Sequence, residues 1–144
     1  MMKLFIILTI ISAINIFCQS ERLTKDLENG YAWIRMEAPA HYYSTSKNNY
    51  LSSILERYRL TGEKYPEIAS LGCKEEIEKL YEDGKSGEIS MSDIVRKIDD
   101  YYSKDNKMIV PIVFAYCYTI KKISGASDAE LDEYEKQVME FCKE

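Results

Sequence analysis

Two serines, Ser90 and Ser127, each open a segment whose apolar residues recur at helical spacing, and these segments constrain the fold of the chain most. Ser90 with Asp93 three residues on fits a capping box, with Asp in the place more often taken by Glu. Ile89 before the cap and Ile94 at the fourth helical position supply the matching hydrophobic staple. Met91, Ile94, Val95, Ile98, Tyr101 and Tyr102 then make one face, and Arg96, Lys97, Asp99 and Asp100 the other, which predicts an amphipathic helix over 90–102. Ser127-Asp128-Ala129-Glu130 is a second capping box, opening a last helix with Leu131, Tyr134, Val138 and Phe141 or Cys142 inward. Between them, Pro111 fits a first helical turn, where its missing N–H costs nothing. The run from Ile112 to Ile120 carries hardly a charge, so the unit over 108–123 belongs in the middle of a bundle. Lys121, Lys122 and Gly125 mark its end. The short connector then predicts an antiparallel hairpin of the last two helices.

Upstream, Tyr50, Leu51, Ile54, Leu55 and Tyr58 form a stripe over 46–61, stopped by Gly62. Pro66 can start a helix burying Ile68, Leu71, Ile77, Leu80 and Tyr81, with Gly72 weakening its middle and Gly84 ending it. Residues 21–36 suit a further short helix ending near Trp33 and Met36, and Pro39 with Ser44 to Asn49 suits a loop. No alternation of period two is long enough for a strand. The expected fold is all-α, a single bundle of five or six helices with a C-terminal antiparallel hairpin.

The start of the chain reads differently. Met1-Met2-Lys3 is followed by an apolar run from Leu4 to Phe17, then Cys18-Gln19-Ser20 and the first acid, Glu21. This is the layout of a secretory signal peptide, too short for a permanent span of a hydrocarbon core ~30 Å thick. The expectation is a signal over residues 1–20, a helical domain over 21–144, and an exported protein, periplasmic or secreted. Cleavage after Ser20 or after Cys18 fits. A lipidated Cys18 is the competing reading, and only that one ties the protein to a membrane. The net charge of −5 becomes −6 when Lys3, the one charged residue of the signal, is removed. An acidic body argues against nucleic acid and lacks a polybasic patch for anionic lipid.

Three cysteines remain: Cys73, Cys117 and Cys142. None lies in a CxxC pair or near a histidine, so no metal site is expected. With the turn centred near Gly125, Cys117 lies level with about position 134, roughly 12 Å from Cys142 at about 1.5 Å per residue. Disulfide Cα atoms lie within about 7 Å. Cys117 is thus expected as a buried free thiol, leaving Cys73–Cys142 as the pair.

The only histidine, His41, stands beside Pro39 and Tyr42-Tyr43 in an expected loop, with no recognisable catalytic partner. Asp99-Asp100 and Glu75-Glu76 point about 100° apart on a helix and read as solvated faces. Asp99 to Asn106 lacks EF-hand spacing, and Lys85-Ser86-Gly87 is no phosphate loop. No catalytic residue, cofactor or metal is therefore expected, and the likeness is to a protein that binds another protein. The candidate partner-facing residues are Tyr31, Trp33, Tyr42 and Tyr43, Trp33 with Tyr31 being either a lid on the bundle or an anchor for the partner. A ligand carrier or enzyme using His41 and the Tyr/Trp cluster, and a lipid-tethered envelope protein, are the alternatives.

Three stretches carry a resemblance. They are Gly30-Tyr31-Ala32-Trp33 with the later Lys47, Tyr50 and Leu51; Ile94 to Tyr102, reading IVRKIDDYY; and Asp105-Asn106, Ile109, Pro111-Ile112, Ala115 and Ile123-Ser124-Gly125. Together these resemble a group of small exported all-helical bacterial proteins with no assigned activity. In layout the chain is also similar to periplasmic immunity proteins of type VI secretion. The resemblance implies an exported helical domain with no assigned activity and a structural Asn106 in the turn before Pro111, and the likeness in layout leaves an inhibitor or immunity-type role as one form of protein binding.

Overall fold

The helix from Ile112 to Ile123 organises the structure, because its sequence leaves no polar face to turn outward. In the computed structural model, which describes residues 23–36, 46–53, 70–82, 84 and 89–143, Ile112, Phe114, Ala115, Tyr116, Cys117, Thr119 and Ile120 of this helix are all buried. In chain order the elements are α1 (Gly30–Arg35), α2 (Lys74–Glu82), α3 (Met91–Tyr102), a 3₁₀ turn (Asp105–Lys107), α4 (Ile112–Ile123) and α5 (Asp128–Lys143), with residues 47–53 also helical. α3, α5 and α2 all pack on α4. The fold is all-α and forms one domain, with no strand among the described residues. The expected signal over 1–20 with Cys18, the loop holding His41, Tyr42 and Tyr43, and the stretches 54–61 and 64–69 lie outside those residues. No helix among them is long and apolar enough to cross a membrane.

Local signals account for the last three helices. The Ser90 hydroxyl accepts from the Asp93 N–H at 3.1 Å and donates to the Asp93 carboxylate at 2.7 Å, closing the first turn of α3. Ile94, Ile98, Tyr101 and Tyr102 form its buried face. Pro111, with φ −58°, is the N-cap of α4. Gly125 ends the hairpin turn at φ +93°, where a Cβ would be strained. Glu130 then receives both the N–H and the hydroxyl of Ser127 at 2.7 Å, starting α5.

Two upstream expectations change. The helix expected over 21–36 begins only at Gly30. Lys25 and Asp26 both have positive φ, 49° and 62°, so Thr24 to Leu27 makes a tight turn closed by reciprocal backbone hydrogen bonds of 3.0 and 2.9 Å. Asn29 caps α1 by accepting from the Tyr31 N–H at 3.1 Å. The helix expected to continue through Gly72 is broken there instead, and α2 starts at Lys74.

The cysteine expectation is corrected. Cys73 and Cys117 form the disulfide, with Cα atoms 5.2 Å apart, and Cys142 is the free cysteine. Hairpin geometry rightly separates Cys117 from Cys142, but it says nothing about α2. That helix lies along α4, so Cys73 meets Cys117 and, one turn on, Glu76 pairs with Lys121. On the α5 side, the Tyr134 hydroxyl contacts the Leu71 carbonyl at 2.9 Å and the Phe114 carbonyl at 3.3 Å. The disulfide thus closes a layer of α2, α4 and α5.

Candidate partner-binding surface

The segment before α1 is clipped to the turn before α4, and this junction builds the most distinctive surface of the molecule. The Gly30 N–H donates to the Met108 carbonyl at 3.0 Å and the Ile112 N–H to the Glu28 carbonyl at 2.8 Å. The Thr24 hydroxyl donates to the Ile109 carbonyl at 2.5 Å, and the Tyr102 hydroxyl to the Val110 carbonyl at 2.8 Å. Asn29, 2 % exposed, braces the N-terminal side by donating to the Thr24 hydroxyl at 3.0 Å. The turn is therefore satisfied by Gly30, Thr24 and Tyr102, whereas Asn106, the residue implied for that work, is exposed. Gly30 is required by close approach. A Cβ there would come within 2.6 Å of the Tyr102 ring and 2.9 Å of the Met108 Cα.

The clip presents a mixed face outward, with Lys25, Asp26 and Glu28 exposed beside several large apolar side chains. Leu23, Tyr31, Ile34 and Ile109 are the large hydrophobic residues left exposed among those described, between 38 % and 56 %. Leu23, Tyr31 and Ile109 line an open depression of about 460 Å³ whose walls also include Thr24, Lys25, Asn29 and Cys142. Ile34 stands one turn along α1 from Tyr31, on the same side of the helix. Large apolar side chains gathered around one concavity differ from the single scattered ones that most surfaces carry.

Burial pushes the Cys142 thiol up to about 11, with Lys25 opposing weakly, so near neutral pH it is a protonated thiol and a poor nucleophile. Its sulfur lies 3.9 Å from the Ile109 carbonyl. Among the described residues no group of His, Cys, Asp or Glu is arranged to hold a metal ion.

Of the four residues expected to face a partner, Tyr31 is in this surface, 39 % exposed. Trp33 is not, and its partner-facing assignment is corrected: it is 0 % exposed. Its indole N–H donates to Asp99 at 2.8 Å, and the Lys47 ammonium, itself 2.6 Å from Asp99, lies 5.1 Å from the ring centre. Trp33 is the lid of the bundle, and Asp99 is its hydrogen-bond partner rather than a purely solvated acid. Tyr42 and Tyr43 lie outside the described residues. Leu23, Ile34 and Ile109 are the surface residues that sequence reasoning missed. Their pattern offered one faint signal, an isoleucine set between the buried Met108 and Val110, which only the turn rotates outward.

No protein-family model, no curated protein and no solved structure matches this chain.

Proposed function

We propose that this is an exported, non-enzymatic protein-binding module, of the inhibitor or immunity type, that docks its partner through Leu23, Tyr31, Ile34 and Ile109. The observation that carries the reading is the gathering of exposed Leu23, Tyr31 and Ile109 around one depression, with Ile34 one turn along α1 from Tyr31, above a backbone junction that is hydrogen-bonded. Such a surface has affinity to give once another apolar surface covers it, and Tyr is well suited to anchor an interface. A rigid clip also keeps the ordering cost of binding low. The pairing of Cys73 with Cys117 suits an oxidising compartment.

The test is a paired capture from the exported fraction of cells that make the protein, using the wild type and a Tyr31→Ala/Ile34→Asp variant. The reading expects one protein to bind the wild type at about 1:1. Its affinity for the variant should fall by on the order of 30-fold, the scale of a single hot spot. Both proteins should melt alike, since both replaced side chains are exposed. Equal capture by the two proteins, or no saturable partner at all, overturns the proposal.

A further inference from the structure

We propose that a second site, the cleft between α3, the 3₁₀ turn and α4, binds a small phosphate-class anion. The cleft is about 150 Å³ and is lined by Lys97, Lys104, Lys107 and Lys122, by Asp100 and Glu135, and by Tyr101 and Tyr118. Four ammonium groups against two carboxylates leave a net of two positive charges there, in a chain whose overall charge is −5. This local reversal of sign needs a reason, because like charges gathered at one place oppose each other.

The inner pair is already neutralised. Lys107 forms an ion pair with Glu135, their side chains only 11 % and 22 % exposed, and the same ammonium lies 5.1 Å from the centre of the Tyr101 ring. Lys97, Lys104 and Lys122 are left around the mouth with Asp100 alone, and none of the three forms an ion pair among the described residues. Lys97 and Lys104 stand seven residues apart along α3 and just past its end, and Lys122 comes from α4, so the packing of α3 on α4 brings the three together. Lysine is a point-charge donor suited to phosphate, and several lysines with neutral hydroxyl donors suit a multiply charged oxyanion. Burial, and then the negative charge of Glu135, holds both the Tyr101 and the Tyr118 hydroxyl protonated well past neutral pH, so both remain able to donate. The size of the cleft limits the occupant. It falls below the ~300 Å³ at which drug-sized pockets begin, which fits a phosphate or pyrophosphate group and not a whole nucleotide.

The experiment is titration of the folded, oxidised protein with pyrophosphate at low salt, read by calorimetry and by amide shifts of α3 and α4. A second arm measures co-sedimentation with vesicles containing phosphatidic acid, which separates a lipid headgroup from a free anion as the source of the phosphate. Expected is one site per chain, weakened about tenfold or more by Lys104→Gln/Lys122→Gln, both exposed positions, and by added salt. Asp100→Asn, which removes the opposing carboxylate, should tighten it. Lys136→Gln, an exposed lysine of α5 outside the cleft, is the control and should change nothing. Binding to vesicles alone, with the same dependence on Lys104 and Lys122, keeps the site and assigns it to a headgroup. Absence of binding in both arms, or equal weakening by Lys136→Gln, overturns the proposal. Neither the partner surface nor its test involves these residues, so the two readings fail separately.

Discussion

Residues 89–143 reach burial by one route, and residues 23–36 with 46–53 by another. In the C-terminal part each helix carries its own start signal within four residues: Ser90 with Asp93, Pro111 at the head of α4, Ser127 with Glu130. Their apolar faces then meet neighbours that are close in sequence. In the N-terminal part the described helices also start locally, Asn29 capping α1 and the Ser46 hydroxyl accepting from the Asn49 N–H, but the burial of their residues rests on distant partners. Trp33 depends on Asp99, Tyr50 donates to Glu28, Gly30 needs the Met108 carbonyl, and Thr24 reaches 85 residues to Ile109. The first part is specified by periodicity and caps. The second is specified by a surface that exists only after the first has folded.

The disulfide stands between these regimes, and removing it should have the largest effect. It spans a sequence separation of 44, for which the chain-entropy account gives about 4 kcal/mol. Cys73→Ser/Cys117→Ser should therefore lose roughly 2–4 kcal/mol in denaturant titration. Hydrogen exchange should show α2 released from α4 while α3 and α5 keep their protection. Uniform loss across all helices would mean that α2 is no separate layer.

Gly30→Ala comes next, because the added methyl meets the Tyr102 ring and the Met108 backbone at once. Overpacking of this kind costs about 1–3 kcal/mol. The clip should loosen first, seen as faster exchange at the Gly30 and Ile112 amides, with α5 unaffected. A variant as stable as the wild type would show that the clip contributes nothing beyond its position.

The smallest effects are those of pH, and within residues 89–143 they divide between helix starts and buried side chains. Hydrogen bonds from Ser90 hold the Asp93 carboxyl below its usual value, and those from Ser127 do the same for Glu130. These acids lose their protons more readily in the folded chain. Their contribution is complete above about pH 5 and is lost as the pH falls through their folded values. Burial raises Tyr101, Tyr102, Tyr118 and Cys142, so their contribution is complete below about pH 8 and is lost as the pH rises through the range where the unfolded chain ionises. Acid should fray the starts of α3 and α5, as read by helix-resolved exchange, whereas alkali should lower the global denaturation midpoint. An unchanged midpoint at pH 11 would contradict the buried-hydroxyl account.

The contrast between the two parts explains what was legible in the sequence. The order and faces of α3, α4 and α5 follow from spacing, and most residues predicted inward are buried, whereas Met91, Val95, Phe141 and Cys142 at the edges of those faces are half-buried. The Cys73–Cys117 pair was hidden because it depends on where α2 lies against α4, a packing relation with no local mark. Trp33 was ambiguous because its partner is 66 residues away. The apolar surface and the lysine cleft share this origin. Ile109 looks like a core residue until the turn rotates it outward, and Lys97, Lys104 and Lys122 look like ordinary solvated positions until α3 meets α4.

The clip also sets an order in time. Thr24 to Tyr31 leave the ribosome early, yet the carbonyls that receive them belong to residues made some 80 positions later. Contacts of such separation form late, after local helices have condensed. Leu23, Tyr31 and Ile34 therefore wait on a chain that cannot yet seat them, and the surface offered to a partner comes into being as the last act of folding. An incompletely folded molecule would not display it, so binding competence and structural completion are reached together.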